Sequence, residues 1–237
     1  MQKIKAVFLD AAQSLFDLKP SFAGAFAHLA QGFGYPVTER QVQATLPRIQ
    51  DLYQQLAAQT NFKVSQEILL KRWEKIDRAI FEAIGIEAEV DELVREMEQR
   101  FDRGDYAELF PDAIQTLQEV REKGYRVGII SNGTKGMMDC LRHLGLDQYV
   151  EFILVSALVG WEKPSPEIFR MACERVNVNP SEALYVGDDY YTDYCGARDY
   201  GMQTLLLNRN NKPSPESCLS ISTLYDVISF LESDHIQ

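Results

Sequence analysis

Cysteine, histidine and positive charge are all in short supply in this chain of 237 residues. The four cysteines, Cys140, Cys173, Cys195 and Cys218, form no C-x-x-C pair and have no histidine cluster beside them. The three histidines, His28, His143 and His235, share no pattern. This distribution excludes a disulfide framework and a Cys/His zinc site, and free thiols in a reducing compartment are expected. Lysine and arginine total 24 against 35 acidic residues, a formal net charge of −11. Such a balance argues against nucleic acid or an anionic membrane surface as partner. Long apolar runs are missing too, since no stretch approaches the roughly 18 continuous apolar residues of a membrane span. The N-terminal apolar run is too short for a signal peptide and stops at Asp10. A cytoplasmic chain that binds neither membrane nor nucleic acid is expected.

What is present suffices for a full core: 46% of residues are hydrophobic and 25% charged. After a first strand, Val7 to Leu9, comes a long stretch with helical spacing and no strand signal. Phe22, Phe26, Leu29 and Phe33 share one face, and Val42, Leu46, Ile49, Tyr53 and Leu56 another. Leu69, Trp73, Ile76, Ile80 and Ile84 make a third stripe, and Val90, Leu93, Val94, Met97 and Phe101 a fourth. This spacing marks amphipathic helices. Thr38 with Gln41 reads as a capping box opening the second helix. Pro47 is expected to kink or split that helix, and Gly85 to stop the third. Helices of this kind can bury their stripes only against one another, which gives a small bundle.

From Pro111 onward strands and helices alternate. Helices are expected over 112–123, 134–144, 166–176, 192–200 and 223–231. Strands are expected over 125–130, 152–155, 183–186 and 202–207, and the polar stretch 208–217 reads as a surface loop. Strand and helix in turn mean βαβ units and a parallel sheet. The lone strand at Val7 needs that same sheet. The fold class is therefore α/β, with a Rossmann-like parallel sheet core formed by residues 1–16 and 106–237. A four-helix domain, residues 17–105, is inserted after the first strand.

Open parallel sheets bind ligands at the carboxyl ends of their strands. Asp10 follows the first strand. Ser131, Asn132 and Gly133 follow "YRVGII", and Asp188 and Asp189, with Asp193 beyond, follow "ALYV". Lys163 lies after the strand at 152–155. If Asp10, Asp188 and Asp193 converge, their charges repel unless a cation lies between them. Mg²⁺, a hard ion with oxygen ligands, answers that need. Three carboxylates, one Mg²⁺ and Lys163 sum to zero charge, so a phosphate dianion meets a neutralised site.

The stretches "VFLDAAQSL", "IISNG", "EKPSPEIF" and "YVGDDYYTDYCGARDYGM", in this order and with helices inserted after the first, resemble the haloacid dehalogenase-like (HAD) hydrolase superfamily. The resemblance covers nearly the whole chain and implies that the inserted helices are a cap closing over the crevice. It implies a phosphorylated small-molecule substrate and Asp10 as a nucleophile that forms an aspartyl-phosphate. Ser131 and the Asn132 backbone N–H would hold phosphoryl oxygens, and Lys163 would stabilise the transferring charge. Asp10, the backbone carbonyl of Ala12 and Asp188 would hold Mg²⁺, with Asp193 supporting them.

Two positions depart from the family pattern. A second aspartate, the proton donor to the leaving oxygen, usually stands where this chain has Ala12, and a glycine where it has Gln13. A methyl group transfers no proton, and loss of a positioned acid commonly costs ~10²–10⁴ in rate. Gln13 in place of glycine is expected to alter the turn geometry. The resemblance therefore leaves alternatives: a non-catalytic regulator or binding protein, a 2-haloacid dehalogenase, or a phosphonatase using a cap lysine such as Lys63, Lys71 or Lys75.

Overall fold

A computed structural model of the chain describes residues 3–211, 213, 215 and 218–233. His235 and part of the expected 208–217 loop lie outside the described residues. In chain order the structure opens with strand β1 (Ala6–Leu9), strand β2 (Phe16–Leu18) and the helices α1 (Phe22–Gly32), α2 (Glu39–Ala58), α3 (Gln66–Ala83) and α4 (Val90–Arg103). Strand β3 (Ala107–Leu109), helix α5 (Ala113–Glu122), strand β4 (Arg126–Ser131), helix α6 (Lys135–His143) and strand β5 (Phe152–Val155) follow. The rest is α7 (Ser156–Val159), α8 (Pro166–Val176), β6 (Ala183–Gly187), α9 (Gly196–Tyr200), β7 (Gln203–Leu207), β8 (Ser220–Ile221) and α10 (Tyr225–Ser233).

Six strands form one parallel sheet in the order β5-β4-β1-β6-β7-β8. The strand nearest the N-terminus is thus central, with Leu9 opposite Ile129 on one side and Val186 on the other. Both faces of β1 are buried, which is why it reads as an unbroken apolar run. Val7 and Leu9 point to the face covered by Leu117 of α5, Leu141 of α6 and Val227 of α10. Ala6 and Phe8 point to the other face, covered by Ile168 and Phe169 of α8. The period-2 alternation of the strand decides which helix layer each residue meets.

Helices α1–α4 enclose a separate apolar core built from the four stripes, with Phe26, Ile80, Phe81, Leu93 and Met97 at its centre. Thr38 and Gln41 make the expected capping box, and Gly85 follows α3 in a left-handed conformation. Pro47 does not split α2, which runs unbroken through it. Both Pro47 and Gln43, four residues before it, are exposed, so the carbonyl released by the missing N–H faces water.

Some elements were not foreseen. Strands β2 and β3 pair antiparallel, Phe16 opposite Leu109, and form a ribbon where the chain enters and leaves the helices. Ser131 is the last residue of β4 rather than beyond it. The expected helix 192–200 is a π-helical turn, Tyr190–Cys195, followed by α9. The last helix begins at Tyr225 rather than Thr223, because the Asp226 carboxylate accepts from the N–H groups of Ser222 and Thr223. Among the described residues, no helix is long and apolar enough to cross a membrane.

Candidate active site

Burying a lysine is costly unless its charge is met. Lys163 is 3% exposed and its Nζ donates to Asp10 Oδ1 at 2.5 Å and to Asp193 Oδ1 at 2.7 Å. A third contact, at 3.1 Å, is with the hydroxyl of Tyr185. Burial alone would lower the Lys163 pKa, but the Asp10 and Asp193 carboxylates outweigh it and hold the ammonium well above its ordinary value. Asp10 is fixed from behind, since its N–H donates to Val186 O of β6 at 2.9 Å.

The main chain at Lys163 is held by the Asn132 side chain. Asn132 Oδ1 accepts from the Lys163 N–H at 2.7 Å, and Asn132 Nδ2 donates to the Lys163 carbonyl at 2.9 Å. The loop after β4 is in turn tied down by Ser156, whose hydroxyl accepts from Gly133 N at 3.0 Å and donates to Gly133 O at 3.2 Å. Ser131, buried at the end of β4, precedes this loop.

The turn after β6 presents the remaining acids. Asp189 accepts from the N–H groups of Tyr191 and Thr192 and so starts the π-helical turn that carries Asp193. Asp193 Oδ2 accepts from Asp189 N at 3.1 Å. Gly187 is required here: a Cβ at that position would lie 2.4 Å from Asp193 Cγ. Carboxylate oxygens of Asp10, Asp188 and Asp193 lie within 4.8 Å of one another.

Three carboxylates around one ammonium leave an excess of negative charge. Burial, followed by the charges of Asp10 and Asp193, pushes the Asp188 carboxyl up to about 8. Burial also raises Asp10, to about 6, with Lys163 opposing and Asp193 adding to the shift. The cluster thus takes up a proton that a cation could replace. An all-oxygen, carboxylate-rich donor set of this kind fits a hard divalent ion such as Mg²⁺.

The turn after Asp10 differs from expectation. Gln13 adopts φ 64°, the left-handed region glycine usually fills, so the handedness of the turn survives the substitution. Hydrogen bonds from Gln13 N to Phe16 O and from Leu15 N to Ala11 O, each 2.7 Å, hold the residue there against the strain. The Ser14 hydroxyl is buried with no hydrogen-bond partner among the described residues.

Ala12 and Gln13 open onto a cavity of about 320 Å³ that is roofed by α3 and α4. Its walls include Phe22, Trp73, Phe101 and Tyr106 together with Asp77 and Asp102. None of the three cap lysines singled out by sequence lines it. Lys63 sits over the Trp161 ring, Lys71 pairs with Glu67, and Lys75 is exposed. His28 and His143 are exposed.

Three contributions were not anticipated. Tyr185 lies in an otherwise apolar strand, and its hydroxyl also reaches Asp193 at 3.0 Å; a buried tyrosine needs such a partner, which was the available signal. The Asn132 side chain holds the Lys163 main chain, a role distinct from the backbone contact that the family resemblance implies. Glu162, beside Lys163, forms a buried two-pronged ion pair with Arg72 of α3 at 2.8 and 3.0 Å, which links the helices to the lysine loop.

Comparison with known proteins agrees with this architecture. The family described as "Haloacid dehalogenase-like hydrolase" matches residues 10–207. "Haloacid dehalogenase-like hydrolase domain-containing protein 3" of Mus musculus is 35% identical over 130 residues, which is 51% of this chain and 52% of that protein. The chain therefore matches about half the length of that relative. "Glyceraldehyde 3-phosphate phosphatase" of Methanothermobacter thermautotrophicus is 30% identical over 210 residues, 86% of each chain. The fold of magnesium-bound YfnB from Bacillus subtilis superimposes with a TM-score of 0.76 at 22% identity, covering 97% of this chain and 99% of that one. With a family match extending from Asp10 to the end of β7, this chain belongs to the haloacid dehalogenase-like hydrolases.

Proposed function

We propose that this chain is a cytoplasmic, Mg²⁺-dependent phosphatase acting on a small phosphate ester or acyl phosphate through an aspartyl-phosphate on Asp10. The observation that carries the reading is the buried Lys163 ammonium shared between Asp10 and Asp193, with Asp188 beside them. Such an arrangement holds an ionised carboxylate next to a fixed positive charge. It is what nucleophilic attack on an anionic phosphoryl group requires. The relatives named as glyceraldehyde 3-phosphate phosphatases support the phosphate-ester reading.

In this reading an Asp10 carboxylate oxygen attacks phosphorus and the leaving oxygen departs. Water then cleaves the acyl phosphate, releasing phosphate and restoring Asp10. Ser131 and the Asn132 N–H bind phosphoryl oxygens, while Lys163 offsets the growing negative charge. Asp10, the Ala12 carbonyl and Asp188 would hold Mg²⁺, with Asp193 supporting; the ion would neutralise charge on the phosphoryl group. Residues 17–105 act as a cap that excludes water from the core formed by 1–16 and 106–237. Because Ala12 supplies no proton, good leaving groups are favoured.

A metal-controlled assay with p-nitrophenyl phosphate and acetyl phosphate tests this on wild type, Asp10→Asn and Ala12→Asp. Turnover requiring Mg²⁺, lost in Asp10→Asn and raised in Ala12→Asp, is expected. Undiminished activity in Asp10→Asn would overturn the nucleophile assignment. Halide release from a 2-haloacid without metal would instead support a dehalogenase.

A further inference from the structure

The cavity beside Ala12 is where the organic part of a phosphate ester bound at Asp10 would extend. Its chemistry is one-sided. Among the described residues, no lysine, arginine or histidine lines it. Its rim carries Glu74 and Glu98, both exposed, and Asp102 stands half-buried on the wall with Thr134 as hydrogen-bond partner.

Deeper lies Asp77. The residue is only 5% exposed and lines the cavity, yet among the described residues no hydrogen bond or ion pair reaches its carboxyl group. Among the described residues, the charge that acts on it is that of Glu98, of the same sign. A buried carboxyl without a partner is costly, and natural interiors almost always satisfy such a group. Here the open side faces a space bounded by aromatic rings. Trp73, one helical turn before Asp77 on α3, and Phe22, Phe101 and Tyr106 share that space. Aromatic faces around an acid form a receptor for an organic ammonium, which gains both the charge and the ring quadrupoles. A second anionic group on the leaving alcohol would meet only repulsion.

We propose that this cavity receives the leaving-group portion of the substrate and that this portion carries an ammonium group on an apolar body, with Asp77 as its counter-ion. The substrate class is then a phosphate monoester of an amino alcohol or of a quaternary ammonium alcohol. The reaction part of this proposal rests on the phosphatase reading, whereas the binding part stands without it. Asp77→Asn keeps the shape of the side chain while removing its charge, and no hydrogen bond or ion pair among the described residues is lost with it, so the variant is expected to fold.

Two measurements test the proposal on the full chain. The first compares kcat/KM for 4-(aminomethyl)benzyl phosphate, 4-methylbenzyl phosphate and 4-carboxybenzyl phosphate, whose leaving oxygens are alike. Wild type is expected to prefer the cationic ester over the neutral one by about tenfold or more, and to reject the carboxylate. In Asp77→Asn the ratio of cationic to neutral ester should fall to about one. The second measures benzyltrimethylammonium binding by calorimetry, with saturable binding to wild type expected and loss of that binding in Asp77→Asn. Equal use of the esters, preference for the carboxylate, or a preference retained in Asp77→Asn would overturn the cation site. If no benzyl ester is hydrolysed, calorimetry alone decides the cation site, and the phosphatase reading is judged separately by p-nitrophenyl phosphate and acetyl phosphate, whose leaving groups need no proton. Hydrolysis without ammonium binding rejects the cation site and leaves the phosphatase reading standing.

Discussion

Replacing Glu162 by glutamine would leave the Arg72 guanidinium buried with its counter-charge removed. Each side chain of the pair is 3% exposed, and two hydrogen bonds of 2.8 and 3.0 Å are converted from charge-assisted to neutral or lost. Thr60, an acceptor at 3.3 Å, and the nearby Tyr53 carry no charge to replace that of Glu162. Breaking a buried ion pair from one side costs about 3–5 kcal/mol. For a chain of this size each kcal/mol shifts the thermal midpoint by about 2–4 °C, so Glu162→Gln should melt roughly 6–20 °C lower. The double variant Arg72→Met with Glu162→Leu removes both charges and should recover most of that loss, since two apolar groups need no partner. The backbone links between the same segments, Val64 N to Gly160 O and Glu162 N to Phe62 O, persist in every variant, so the cycle isolates the charges. Calorimetric or denaturant unfolding of wild type, Arg72→Met, Glu162→Leu and the double variant reads the coupling energy. A loss below about 1 kcal/mol in Glu162→Gln, or a double variant no more stable than the weaker single one, would refute the reasoning. Turnover should fall as well, measured far below each midpoint, because Glu162 adjoins Lys163 and Arg72 adjoins the cavity wall at Trp73.

The acid cluster predicts a reversed pH dependence when no metal is added. Asp10 and Asp188 are raised to about 6 and about 8 by burial, so the folded chain binds more protons than the unfolded one between their ordinary range and those values. Stability without Mg²⁺ should therefore fall as pH rises through 6 to 8, and saturating Mg²⁺ should abolish the fall by replacing the proton. Melting curves at pH 5 to 9 with EDTA or with Mg²⁺ check this, and a rise with pH under EDTA would contradict it. Gly187→Ala forces a methyl to within 2.4 Å of Asp193 Cγ and should displace the carboxylate that holds Lys163. An at least tenfold loss of kcat is expected, with near-normal helix content by circular dichroism; unchanged kcat would show that Asp193 can move without consequence.

Much of the architecture was legible because it rests on local patterns. Apolar residues three and four apart wrote the helices α1–α4, and unbroken apolar runs between turn residues wrote the strands of a doubly covered sheet. The polar residues that end those runs were visible as well, since a parallel sheet brings its strand ends to one edge. The ribbon of β2 and β3 was missed because three-residue strands carry too little pattern to register. Gln13 misled for another reason. Residue type argues for the usual backbone of a non-glycine residue, but the surrounding hydrogen bonds impose a left-handed one.

The residues that could do chemistry, their order and the replacement of an expected acid by Ala12 are properties of the sequence alone. Which of them meet is not. Lys163 joins Asp10 across 153 positions, and Arg72 joins Glu162 across 90. Asp77 follows Ile76 in an ordinary amphipathic stripe, with nothing in its neighbours to separate it from a solvated acid. Only the packing of α3 against α4 removes it from water and turns it toward a cavity, with no partner among the described residues. Periodicity is set by the chain's own geometry over a few residues, whereas burial and pairing depend on surfaces contributed by distant segments, and these exist only once the fold has closed.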